Sequence, residues 1–186
     1  LLAQCFREAG VPPGALNFLT GNGDRVGDPL MRHPDIAGIT FAGSHDVGMK
    51  IVRACAAHRY PRPCIAEMSG NNAVIVSRNA DLERAALGIV RSAFALQGQH
   101  CAAAARVLVD RVLIDQLVER MLAHLRDLKL GDPSQRGITL GPVIGRSAYE
   151  RYLRLSSELA LEGQLLCGGK TLNDGDYVRG YYCEPT

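Results

Sequence analysis

Ile36-Ala37-Gly38-Ile39-Thr40-Phe41-Ala42-Gly43-Ser44-His45-Asp46-Val47-Gly48 is the stretch that decides the fold class. Residues 36–41 read as a strand, bounded by the glycine at position 43. Ser44 is a good N-cap and Asp46 falls in the first turn of the helix that follows. Val47, Ile51, Ala54 and Cys55 then recur at helical spacing as an apolar face. A strand that turns through glycine and serine into an amphipathic helix is the opening of a βαβ unit, and hence of a parallel sheet. The same geometry points backbone N–H groups outward, where they can hold an anion. An ordinary capped helix satisfies the pattern equally.

Upstream of this stretch, Leu2, Phe6 and Ala9 share one face of a helix that Gly10 and Pro12-Pro13-Gly14 stop. Residues 15–19 are a strand candidate, Gly21-Asn22-Gly23-Asp24 is a turn by composition, and residues 27–32 form a short helix. Glycines 21, 23 and 27 lack the dinucleotide fingerprint spacing. Downstream, Tyr60-Pro61-Arg62-Pro63 breaks the chain. Strands are expected at 64–68 and 73–76, with Ser69-Gly70-Asn71-Asn72 as the turn between them, and a helix at 81–94. Then come a strand at 106–109 and a helix whose face is Ile114, Leu117, Val118, Met121, Leu122, Leu125 and Leu128. A helix at 146–161, a strand at 165–167 and a last strand beginning at Tyr181 complete the series. Strands alternate with helices throughout, which is the pattern of an α/β protein with mostly parallel sheets.

Composition limits the partners. Of 186 residues, 47% are hydrophobic and 22% charged, which suits a globular chain with a real core. Twenty-one basic against 19 acidic residues leave a formal charge of +2, and no basic cluster calls for nucleic acid or an anionic membrane. No apolar segment is long enough to span a bilayer. The six cysteines include no C-x-x-C pair, and the five histidines lack ligand spacing, so no metal site is expected. With no secretory leader pattern at Leu1, a reducing, cytoplasmic setting with free thiols is expected. Leu1 already lies inside a helical pattern and Thr186 inside an extended run, so the sequence is expected to be a piece of a longer chain.

Two residues carry possible chemistry. Cys101 follows the long helix after a glycine-containing break, Gln97-Gly98-Gln99-His100. A thiol where a helix gives way to a loop can be both rigidly mounted and reachable, as a nucleophile must be, although free cysteine is also a common core residue. Glu67 lies between an apolar strand and a glycine turn. It is either solvated at a loop edge or held in a cleft as a general base.

Taken together and in order, these elements resemble the aldehyde dehydrogenase superfamily. Phe41-Ala42-Gly43-Ser44 with Val47-Gly48 looks like its F-T-G-S-x-x-x-G turn, and Glu67-Met68-Ser69-Gly70 like its E-x-G-G element. Gly98-Gln99-His100-Cys101, with Arg106 five residues on, looks like its G-Q-x-C box. The flanking Glu8-Ala9-Gly10-Val11-Pro12-Pro13-Gly14 and Gly180-Tyr181-Tyr182-Cys183-Glu184-Pro185-Thr186 agree, so the resemblance covers essentially the whole chain. It implies part of a Rossmann-type cofactor domain (residues 1–66) followed by part of an α/β catalytic domain (residues 67–186). It implies NAD, with NADP as the alternative, held by Gly43, Ser44, Val47 and Gly48 with Gly21 and Met68. It also implies Cys101 as nucleophile, Glu67 as base, an aldehyde substrate, and a parent enzyme that forms homo-oligomers. Ser92-Ala93-Phe94 leading into Gln97-Gly98-Gln99, and Glu67 to Asn72, are most similar to Δ1-pyrroline-5-carboxylate dehydrogenases, which oxidise glutamate semialdehyde in proline breakdown. Ala102 departs from that subclass, which usually carries serine there. Ser69 and Asn71 depart from the E-x-G-G-K pattern.

The resemblance further implies that the remaining pocket residues lie outside residues 1–186, and that this piece alone is inactive. Two alternatives stand beside the enzyme reading. One is a truncated, non-catalytic remnant of such an enzyme. The other is a thiol esterase that uses Cys101 and Glu67 without cofactor.

Overall fold

The computed structural model describes all 186 residues, which divide into two compact units, Leu1–Met68 and Ser69–Thr186. The division falls two residues beyond the expected 66/67 boundary, so Glu67 and Met68 belong to the first unit.

In the first unit, α1 (Leu2–Glu8) is followed by a π-helical turn (Gly23–Gly27) and α2 (Asp28–Arg32). Strand β1 (Ile39–Gly43), helix α3 (His45–Ala56) and strand β2 (Cys64–Met68) form the expected βαβ unit. Its strands pair in parallel from Ile39↔Cys64 to Gly43↔Met68. Ser44 caps α3, its Oγ accepting the Val47 N–H at 3.4 Å. Met31, Ile51 and Cys55 are the buried core, with Ile39, Phe41, Ala54 and Cys64 packed against them. Arg62 closes the unit by donating to the carbonyls of Met31, His33 and Ile36 at 2.7, 2.9 and 3.0 Å.

Two expectations for this unit need correction. Residues 15–19 are not a strand: no other strand pairs with them, the Ala15 N–H closing only a turn onto Pro12 O at 3.1 Å, and Phe18 and Leu19 stand exposed. Val47 is not on the inner face of α3. Gly48 is the residue that approaches β2, where an added Cβ would stand 2.6 Å from Met68 Sδ, and a residue one place earlier on a helix points about 100° away.

In the second unit, β3 (Asn72–Val76) and β4 (Ala104–Val109) pair in parallel, with a register shift between Asn72 and Ala73. Helices α4 (Leu82–Phe94) and α5 (Ile114–Arg126) cover one face. Val76, Ala86, Ile89 and Leu117 are buried there, and Val74, Val107 and Val109 pack on them. Asp81 caps α4 by accepting the Arg84 N–H at 3.1 Å. Helix α6 (Arg146–Glu162) precedes β5 (Thr171–Leu172) and β6 (Tyr182–Cys183), which pair antiparallel. The strand expected at 165–167 is absent. Gly168 and Gly169, at φ of +71° and +82°, turn the chain there, and the pairing with β6 is made by Thr171 and Leu172 instead. Both parallel pairs leave apolar side chains on the other face, with Ile65 58%, Ile75 77% and Leu108 56% exposed.

Candidate active site

The thiol-bearing loop is built by strain and by amide side chains. After α4, Leu96, Gln97 and Gly98 all take positive φ, at 52°, 58° and 71°. For Leu96 and Gln97 this left-handed conformation costs roughly 1–2 kcal/mol each. Polar groups hold the loop in it. Gln99 Oε1 accepts the Ile144 N–H at 2.9 Å, and Gln99 Nε2 donates to Leu96 O at 3.3 Å. The Gln97 carboxamide, turned to satisfy both neighbours, accepts the Gly141 N–H at 2.7 Å and donates to Leu96 O at 3.2 Å. Gly141 to Ile144 thus act as a brace for the loop.

Cys101 follows this loop and is exposed. Asn72 Nδ2 donates to Cys101 O at 2.8 Å and to Ala103 O at 3.0 Å. The Ala102 N–H donates to His100 Nδ1 at 3.1 Å, and the Ala104 N–H to Ser92 Oγ at 3.2 Å. Gly70 lies so close that a Cβ there would stand 2.6 Å from Cys101 O. Arg106 ties the same turn down by donating to Asn71 O at 3.1 Å. The second unit also holds an apolar cavity of about 540 Å³, lined among others by Phe94, Met121, Leu125, Leu140 and Leu159; Cys101 is not in its lining.

In the first unit, Gly43, Ser44, Val47 and Gly48 gather at the β1–α3 junction. Met68 pairs with Gly43 across the sheet and packs on Gly48. Helix α3 presents its N-terminal N–H groups here, with glycine at the point of closest approach to β2. That geometry fits a pyrophosphate, which needs backbone donors and room to approach. Gly21 packs against Val26, where a Cβ would meet Val26 Cγ2 at 2.5 Å. Glu67 stands on the exposed face of β2, opposite Ala42, and Cys101 lies in the other unit.

In the sequence Asn72, Gln97, Gln99 and Gly70 stand only as members of the quoted motifs, with no role of their own in holding the thiol loop. Beyond motif membership the local signal was polar: two amides flanking a glycine, and an Asn-Asn turn ahead of a strand.

A family model for the aldehyde dehydrogenase family matches residues 1–186, and the chain belongs to that family. It is 39% identical over 188 residues to a 1-pyrroline-5-carboxylate dehydrogenase of Geobacillus sp. (strain WCH70), a match covering 99% of this chain and 36% of the relative. Among solved structures, a 1-pyrroline-5-carboxylate dehydrogenase from Thermus with bound NAD matches at a TM-score of 0.89 and 37% identity, over 99% of this chain and 36% of that one. A gamma-glutamyl-gamma-aminobutyraldehyde dehydrogenase from Burkholderia cenocepacia matches at a TM-score of 0.91 and 32% identity, over 99% and 37%. The chain therefore spans little more than a third of the length of these relatives.

Proposed function

We propose that the enzyme carrying this chain oxidises an aldehyde to a carboxylate with NAD, using Cys101 as nucleophile and Glu67 as general base. The observation that carries the reading is the exposed Cys101 thiol, standing after a strained loop that amide side chains hold in place. The Cys101 thiolate attacks the aldehyde carbon, forming a carbon–sulfur bond and leaving negative charge on oxygen. The Cys101 N–H, which donates to no group in the chain, is a candidate donor to that oxyanion. NAD, when bound, supplies the hydride acceptor, and the acyl group stays on Cys101 as a thioester. Glu67 takes a proton from water, whose oxygen attacks the thioester carbon and releases carboxylate and thiolate. Gly43, Ser44, Val47 and Gly48, with Met68 and Gly21, hold the cofactor.

Glutamate semialdehyde is the proposed substrate, supported by the names of the relatives. Ala102, where that subclass usually has serine, argues that the substrate carboxylate is held differently here.

The test is kinetic, on the complete enzyme, comparing glutamate semialdehyde with simple aliphatic aldehydes. Cys101→Ala is expected to lower kcat by about a thousandfold or more. Glu67→Gln is expected to give a burst of reduced cofactor and then stall with acyl on the thiol. Turnover that survives Cys101→Ala would sink the nucleophile assignment. The 186-residue chain alone is expected to show no turnover.

A further inference from the structure

Asn72 opens β3 at the register shift, where Asn72 pairs with Ala104 and Ala73 with Arg106. A shift of this kind interrupts the regular ladder and leaves backbone groups without their usual partners. The Asn72 side chain reaches past the end of the ladder to the residues ahead of β4, where its nitrogen offers two N–H donors. One donates to Cys101 O at 2.8 Å and the other to Ala103 O at 3.0 Å. The Cys101 carbonyl and the Ala102 N–H belong to one planar peptide group. Asn72 holds that plane by its oxygen, and His100 Nδ1 holds it by its N–H at 3.1 Å. A peptide gripped on both edges restrains the backbone on the carbonyl side of the Cys101 Cα, and so the position from which its Cβ carries the thiol. Gly70 leaves the space the carbonyl needs.

We propose that Asn72 is a positioning residue for the Cys101 thiol, acting through the backbone carbonyl of Cys101 and not by touching substrate or cofactor. This rests on the reading of Cys101 as the nucleophile. Removing the two donors frees the peptide to rotate. Replacing them with a carboxylate sets negative charge against two carbonyl oxygens and drives the loop away.

The experiment uses the complete enzyme and the variants Asn72→Ser, Asn72→Ala and Asn72→Asp. Three quantities are compared with wild type: kcat, KM for NAD, and the rate of Cys101 alkylation by iodoacetamide across pH, followed by peptide mass spectrometry. Expected are kcat losses of about tenfold to a hundredfold, in the order Ser, Ala, Asp, with KM for NAD within about twofold. The alkylation profile of Cys101 shifts in the same order. Asn72→Ser keeps one donor and gives a folded comparison should the other two fail to fold.

The proposal is overturned if kcat and the alkylation profile stay within about twofold of wild type in Asn72→Ser and Asn72→Ala. It is equally overturned if kcat and NAD binding fall together with a lowered melting temperature and an unchanged alkylation profile, which is plain loss of fold. Failure of the nucleophile reading shows separately, as turnover that survives Cys101→Ala, while the alkylation profile still reports whether Asn72 governs that thiol.

Discussion

Six free thiols in one chain differ by their surroundings. Cys101 and Cys5 are exposed, whereas Cys55 is buried in the first unit. Burial pushes the Cys64 thiol up, and the neighbouring Cys55 thiol adds to the effect. Cys183, at the β5–β6 pair, is pushed from 9.0 to about 11 by loss of solvent. A thiol is neutral when protonated, so a raised folded value means that the unfolded chain loses its proton first as pH rises. The stability tied to Cys183 is therefore present below about pH 9 and is lost as pH climbs through about 11. Tyr152, also raised chiefly by burial, titrates in the same direction. The stability gap between wild type and Cys183→Ala, read from urea midpoints, is expected to narrow from about pH 8 to about pH 11. A gap that does not change with pH would mean that Cys183 is solvated like an ordinary thiol.

At the scale of elements, most of the chain was legible. Strand β2 spans Cys64–Met68 as expected, and α3, α4, α5 and α6 lie within a few residues of their sequence bounds. Apolar periodicity and local caps specify such elements without help from distant residues. The two caps differ in quality: Asp81 Oδ1 meets its N–H at 3.1 Å, and Ser44 Oγ at 3.4 Å. Asp81→Ala is accordingly expected to cost about 1 kcal/mol and Ser44→Ala about 0.5 kcal/mol, measured by urea denaturation. The reverse order would show that the longer bond is the stronger one and that this ranking is mistaken. The strands expected at 15–19 and 165–167 failed for one reason. An apolar run becomes a strand only where another strand offers its N–H and C=O groups, and neither run has such a neighbour.

At the scale of the whole molecule, parallel sheets ordinarily have both faces covered, because crossover helices lie on each side. Here one face of each parallel pair is covered, while Ile65, Ile75 and Leu108 stand open on the other. Ile75 and Leu108 are paired neighbours across β3 and β4, so they form one continuous apolar patch. The 186-residue chain is expected to bind an apolar dye such as ANS, and Ile75→Lys with Leu108→Lys to reduce that fluorescence severalfold. Unchanged dye binding would locate the exposed apolar surface elsewhere.

The sequence by itself determined the α/β class, most of the helix faces and the Ser44 cap, and its family motifs singled out the candidates Cys101, Glu67 and Gly43 to Gly48. The helix faces and the cap are set by residues within a turn or two of one another, where periodicity and local hydrogen bonding act, and the candidates by short motifs whose order and spacing resemble the family's. Only the tertiary structure decided what holds the thiol loop. Asn72 lies 29 positions from the Cys101 carbonyl it grips, and Gln99 lies 45 positions from the Ile144 N–H it accepts. Loop backbone groups take whichever partners the returning chain brings, and no local pattern records which those are. The left-handed turn at Leu96 and Gln97 follows from the same cause. Nothing in either side chain favours that conformation, and the brace from Gly141 to Ile144 maintains it.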